Sequence, residues 1–124
     1  MGRAWIRLFF LVLVVAQGCL GSVPSSGRLP AGVRYAGVWD TNWGQLELMQ
    51  KGKHVHGRYK GFRNGSVSGD AEGDVFLFRW TQTESRQWGR GYLKISPDGQ
   101  TMEGRWGYQK NYGNGGRWWA SRAN

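Results

Sequence analysis

The sequence predicts an all-β fold, a small closed antiparallel up-and-down barrel of about eight strands. Three observations carry this expectation. From residue 37 onward, short runs of β-branched and aromatic residues are divided by turn chemistry. No window repeats apolar residues at helical spacing, and the glycines, 21 in 124 residues, recur too often for a helix interior to survive. Eight runs fit between residues 37 and 122 with short connections, and closing them removes the edges an open sheet would expose.

The first run, 37–43 (GVWDTNW), opens the domain and leads into 45–50 (QLELMQ), where apolar and polar residues alternate as on a strand with one face in a core. Lys51-Gly52-Lys53 turns the chain tightly into 54–61 (HVHGRYKG). Asn64-Gly65 is a hairpin signal ahead of a short strand at 66–69 (SVSG), and the polar stretch DAEGD reads as the turn into 74–83 (DVFLFRWTQT). A loop over 84–88 precedes 89–96 (GRGYLKIS). The turn at Pro97-Asp98-Gly99 has a mechanism, because proline fixes one φ and glycine supplies a positive one. Runs at 100–108 (QTMEGRWGY) and 116–122 (GRWWASR) complete the set.

Residues 48–59 and 95–106 form a loose internal repeat. Each has a turn glycine, an apolar residue ahead of a second glycine, and a closing Gly-Arg-aromatic triplet. Repetition of a hairpin is architectural. Gly57 and Gly104, inside their strands, read as bends where a neighbouring aromatic packs over bare backbone. Trp39, Trp43, Phe76, Phe78, Trp80, Trp106 and Trp118 alternate onto one side of their strands, with enough volume to fill so small a barrel and leave no cavity.

Ahead of the domain, residues 1–7 carry two arginines and no acid, and 8–16 are uninterruptedly apolar. This is the plan of a secretory signal, too short for an ordinary membrane span. The single cysteine, Cys19, follows directly, so no internal disulfide framework or thiolate metal cluster is available. Ala16, Gly18 and Cys19 together resemble the lipobox of bacterial lipoproteins. That resemblance implies cleavage before Cys19, acylation by chains such as palmitate, and attachment to a membrane. Leu20 in place of Asp then points to the outer membrane. The expected organisation is a signal peptide at 1–18, a lipidated N-terminus and flexible tether at 19–36, and the barrel at 37–124, with folding starting near Gly37.

Gly37-x-Trp39, Gly44, the Gly52 turn and Gly57-Arg58-Tyr59 resemble the first hairpin of avidin-like and lipocalin-like barrels. The resemblance is architectural. It implies that Thr41 and Gln45 stand where avidins carry biotin-binding Asn and Ser, and only Tyr59 fits, so no biotin site is carried over.

Chemistry is sparse. His54 and His56 share a strand face, and a metal would need Glu47 or Asp40 as a third ligand. A solvated face beside Lys53 and Arg58 is the preferred reading, with no cofactor. No nucleophile elbow surrounds a serine, and no carboxylate pair has a setting that raises a pKa. The chain reads as a non-enzyme.

Trp39, Trp43, Tyr59 and Trp80 would border a ligand cavity if one exists. Trp88, Tyr112 and Trp119, near loops rich in Arg and Asn, suit a glycan or another stacking partner, and export disfavours nucleic acid. Arg58, Arg79, Arg105 and Arg117 alternate with apolar neighbours and would face outward toward an anionic glycan, lipid or protein. Removing Arg3 and Arg7 lowers the formal charge from +9 only to +7, so the basicity belongs to the domain. The functional expectation is a lipid-anchored, exported interaction module for another envelope component. Two alternatives stand beside it: a lipocalin- or avidin-like binder of a small ligand or glycan, and an exported enzyme inhibitor acting through the tether.

Overall fold

The structure, a computed structural model, describes residues 23–61 and 63–124. The expected signal peptide and Cys19 lie outside the described residues. Eight strands run in chain order: β1 Gly37–Thr41, β2 Gly44–Lys51, β3 His54–Lys60, β4 Gly65–Glu72, β5 Val75–Gln82, β6 Trp88–Ile95, β7 Thr101–Tyr108 and β8 Gly116–Arg122. Each pairs antiparallel with the next, and β1 pairs with β8, so the all-β chain is a closed up-and-down barrel as its sequence predicts.

Closure at the β1–β8 seam is short, from Trp39 opposite Arg122 to Thr41 opposite Ala120. The side chain of Asn42 extends it. Its Nδ2 donates to the Arg117 carbonyl at 2.9 Å, and its Oδ1 accepts the Trp119 amide at 2.9 Å, continuing the ladder where β1 has already turned away.

Inner and outer faces alternate as the pleat requires. Leu46, Leu48, Val55, Val67, Phe76, Phe78 and Leu93 are buried inside, while His54, His56, Arg58, Arg79 and Trp119 look outward. An apolar interior with a charged exterior is the reverse of a membrane-spanning barrel. Strand β4 runs through Glu72, three residues beyond its expected end. Asp70 and Ala71 are weak strand formers by composition, yet Gly69 and Asp70 are each paired on both sides, to β3 and to β5, and that pairing overrides propensity.

The repeat is structural, with one correction. Gly57 and Gly104 do sit at equivalent close approaches, but the neighbour is backbone. A Cβ on Gly57 would run into the Glu47 carbonyl, and one on Gly104 into the Tyr92 carbonyl. Aromatic rings lie instead over other glycines, Phe78 over Gly91 and Trp106 over Gly115.

The barrel has two unlike ends. One holds the β2–β3, β4–β5 and β6–β7 turns, and a segment from Gly27 to Ala36 packs against it. Folding therefore starts upstream of Gly37, although this stretch was expected to be a loose tether. Tyr35 is fully buried, edging Phe76 at 5.9 Å between ring centroids. It donates its phenol proton to the Gly73 carbonyl and its amide proton to Gln50, and its carbonyl accepts Trp39 Nε1–H at 3.0 Å. Burial, with Asp74 nearby, holds the phenol far above the ordinary tyrosine range, so it is a neutral donor at every physiological pH. Further out, the Gly27 amide donates to the Asp74 carboxylate at 2.6 Å, and the Gly27 carbonyl accepts the Asp74 amide at 3.1 Å. Arg122, the last residue of β8, fastens this end: it donates to the carbonyls of Arg34, Ala36 and Gly99, with its guanidinium 4.2 Å above the Trp39 ring.

Candidate functional site

The other end is framed by the β1–β2 turn and by the loops after β3, β5 and β7. It is a mouth narrowing to an aromatic throat. Trp43, Tyr59, Trp80, Gln82, Trp106 and Trp118 line a cavity of about 20 Å³, room for roughly one water. Strand parity explains who is there: on β5, Gln82 follows Phe76, Phe78 and Trp80 on the inward face, and on β8 Trp118 is inward two residues before Ala120.

The rings brace one another edge to face. Trp43 meets Trp106 at 5.3 Å, Trp80 meets Trp106 at 5.8 Å, and Tyr59 and Phe78 both meet Trp118 at about 5.5 Å. Each such pair contributes about 1 kcal/mol beyond its buried area. Trp43 and Trp106 are only half-buried and form the outer lip, whereas Trp80 and Trp118 are buried. The expectation of a barrel wholly filled by its seven inward aromatics is thus met at the sealed end and in the middle, and relaxes at the lip.

Polar groups in the throat are few. Trp80 Nε1 donates to the Gly107 carbonyl at 2.9 Å. Burial pushes the Tyr59 phenol up, with a hydrogen bond from Gln82 and the charge of Arg63 drawing it partly back. Trp118 Nε1 is different: it is buried and has no hydrogen-bond partner among the described residues. A buried indole N–H left unmet costs about 1–3 kcal/mol. Gln82 also borders a second, roomier hollow of about 210 Å³ with Arg63, Asn64, Glu84 and Ser85, between the loops after β3 and β5.

The candidate residues read from sequence divide in three. Trp43, Tyr59 and Trp80 are brought together in the throat. Trp39 lies at the sealed end beneath Arg122. Trp88, Tyr112 and Trp119 are on the outside, where Arg79, Arg90 and Arg117 respectively stack over them at 4.2, 5.5 and 5.7 Å. Sequence reasoning missed Gln82 and gave Trp106 and Trp118 to the core; the β5 alternation was the signal that could have placed Gln82.

Of the arginines, Arg105 and Arg117 face each other on the neighbouring strands β7 and β8, Arg79 lies on β5 with β6 between, and Arg58 lies apart on β3 opposite Glu47. His54 and His56 stack at 5.6 Å on the outer face, with Asp70 3.4 Å from His54. No group of three or more potential metal ligands gathers among the described residues. No protein-family model, curated protein or solved structure matches the chain.

Proposed function

We propose that this chain is an exported, non-enzymatic binding module of the cell envelope, held by a lipid at Cys19, whose working surface is the open end of the barrel. The observation that carries the reading is the throat, with aromatic walls, no ionisable acid or base among its lining apart from the Tyr59 phenol, and a buried indole donor awaiting an acceptor. Such a site suits a compact neutral ligand, a ring with a hydroxyl or carbonyl oxygen. Flat rings stack on Trp43 and Trp106, an oxygen accepts a hydrogen bond from Trp118 Nε1–H, and the body of the ligand occupies the hollow beside Gln82. A neutral envelope glycan has this chemistry. The throat is narrow, so entry requires the half-buried Trp43 to swing from its edge contact with Trp106, at a cost of about 1 kcal/mol.

The inhibitor alternative needs a free segment before Gly37, and from Gly27 onward that segment is engaged with the barrel. It draws no support from the fold.

N-acetylglucosamine oligomers, titrated while tryptophan fluorescence is followed, are the probe. A saturable change is expected, weakened at least ten-fold in Trp118→Phe. The same variant should melt within about 1 kcal/mol of wild type, because the lost ring area is offset by removing an unmet donor. No saturable change with neutral glycans, or equal binding by the variant, would refute the mouth as a glycan site. The anchor is tested separately: incorporation of a clickable fatty acid should disappear in Cys19→Ser.

A further inference from the structure

Four arginines from four consecutive strands form one continuous row on the outside of the barrel. Arg79 on β5 stands directly opposite Arg90 on β6, and Arg105 on β7 directly opposite Arg117 on β8. Arg90 faces Gly107, which brings Arg105 to the diagonal position across the β6–β7 pair and leaves the row unbroken. Like charges in direct cross-strand register oppose folding. Here the arrangement occurs twice, side by side.

The surroundings do little to neutralise it. Strands β5–β8 contain six arginines and lysines and one acid, Glu103, while β1–β4 contain three and four. Glu103 reaches Arg117 at 3.6 Å, with both side chains well exposed, and Arg105 Nε donates to the Gly113 carbonyl at 2.9 Å. The other support is aromatic: Trp88, Tyr112 and Trp119 lie under Arg79, Arg90 and Arg117. A guanidinium stacked on a ring keeps its in-plane N–H donors for an oxyanion, and its fork matches two phosphate oxygens. Trp119 is 49% exposed, a large apolar ring offered to the same side as the charges.

Arginines interleaved with half-exposed Trp and Tyr suit the headgroup level of a bilayer, where phosphates meet the cations and ring bodies enter the glycerol zone. We propose that the outer face of β5–β8 docks on the phosphate headgroups of an anionic bilayer, laying the barrel on its flank with the mouth uncovered. The arginine row and the mouth are separate surfaces, and neither role depends on the other. Arg58, two strands from the row and opposite Glu47, is the internal control.

The full chain, reconstituted in vesicles, is treated with phenylglyoxal, and adducts are counted at each arginine by mass spectrometry. In phosphatidylglycerol vesicles, Arg79, Arg90 and Arg117 should react at least five-fold more slowly than in phosphatidylcholine vesicles, with Arg58 unchanged, and high salt should abolish the difference. In Arg79→Gln/Arg117→Gln, checked for folding by circular dichroism, protection of Arg90 should be lost. Equal rates in the two vesicles, or equal protection of Arg58, would overturn the proposal. So would protection by soluble heparin or single-stranded DNA with none from phosphatidylglycerol, which would assign the row to a polyanion in solution. Failure here leaves the glycan titration untouched, and the reverse also holds.

Discussion

Gly57→Ala and Gly104→Ala should each destabilise the barrel by more than about 4 kcal/mol, enough that purified protein shows no cooperative melt at room temperature. The single added carbon has nowhere to go, since it meets the Glu47 carbonyl in one case and the Tyr92 carbonyl in the other. Both obstacles are backbone in a paired neighbouring strand, so relief requires breaking ladder hydrogen bonds on β2–β3 or β6–β7. Gly52→Ala is the matched control. Its φ of 62° disfavours a side chain, but nothing lies within 4 Å of the new carbon. About 1–2 kcal/mol is expected there, from backbone conformation alone. A Gly57→Ala barrel that melts like the Gly52→Ala barrel would show that the strand approach is not the constraint described.

Arg122→Ala should cost about 3 kcal/mol, a drop of roughly 10–20 °C in melting temperature for a domain of this size. It removes three donated hydrogen bonds and a cation above Trp39, and it also releases the carbonyls of Arg34, Ala36 and Gly99 from their shared partner. Arg122→Lys keeps the charge and the position over the ring but offers one compact ammonium in place of a planar fork, and should recover less than half of the loss. Hydrogen exchange locates the effect: the Tyr35 amide, donated to Gln50, should lose protection before the β4–β5 ladder does. If the two exchange together, the segment before β1 is not a separable seal.

The strand count and the closure were legible in the sequence because alternation and turn chemistry are local signals, repeated eight times without a competing helical period. Strand ends were less so. Asp70 and Ala71 look like turn residues until their partners on both sides are known, and that knowledge is tertiary. The segment before Gly37 misled for the same reason. Its prolines, serines and glycines describe a chain without a period, and nothing local reveals that Tyr35 fills the barrel end or that Arg122, at the far end of the sequence, reaches back to the carbonyls on either side of it, those of Arg34 and Ala36. Trp39 and Trp80 look alike by parity, both inward, but parity does not say which end of a tube a residue occupies. Register supplies that, and register placed one under Arg122 and the other in the throat. The arginine row was half visible: outward alternation was readable for Arg79, Arg105 and Arg117, but the facing of Arg79 with Arg90 exists only once β5 and β6 are aligned.

The plug formed by Tyr35, Trp39 and Arg122 settles what sort of vessel this tube is. With one end stoppered by packed rings and a guanidinium, nothing passes through it from end to end. Under the proposed reading, a ligand that enters past Trp43 would have to leave by the same route in reverse. Residence time in the proposed site would therefore be governed by the lip, and a substitution that stiffens or loosens the loops there without removing a ligand contact would slow or hasten arrival and departure together while leaving the equilibrium between them almost unmoved.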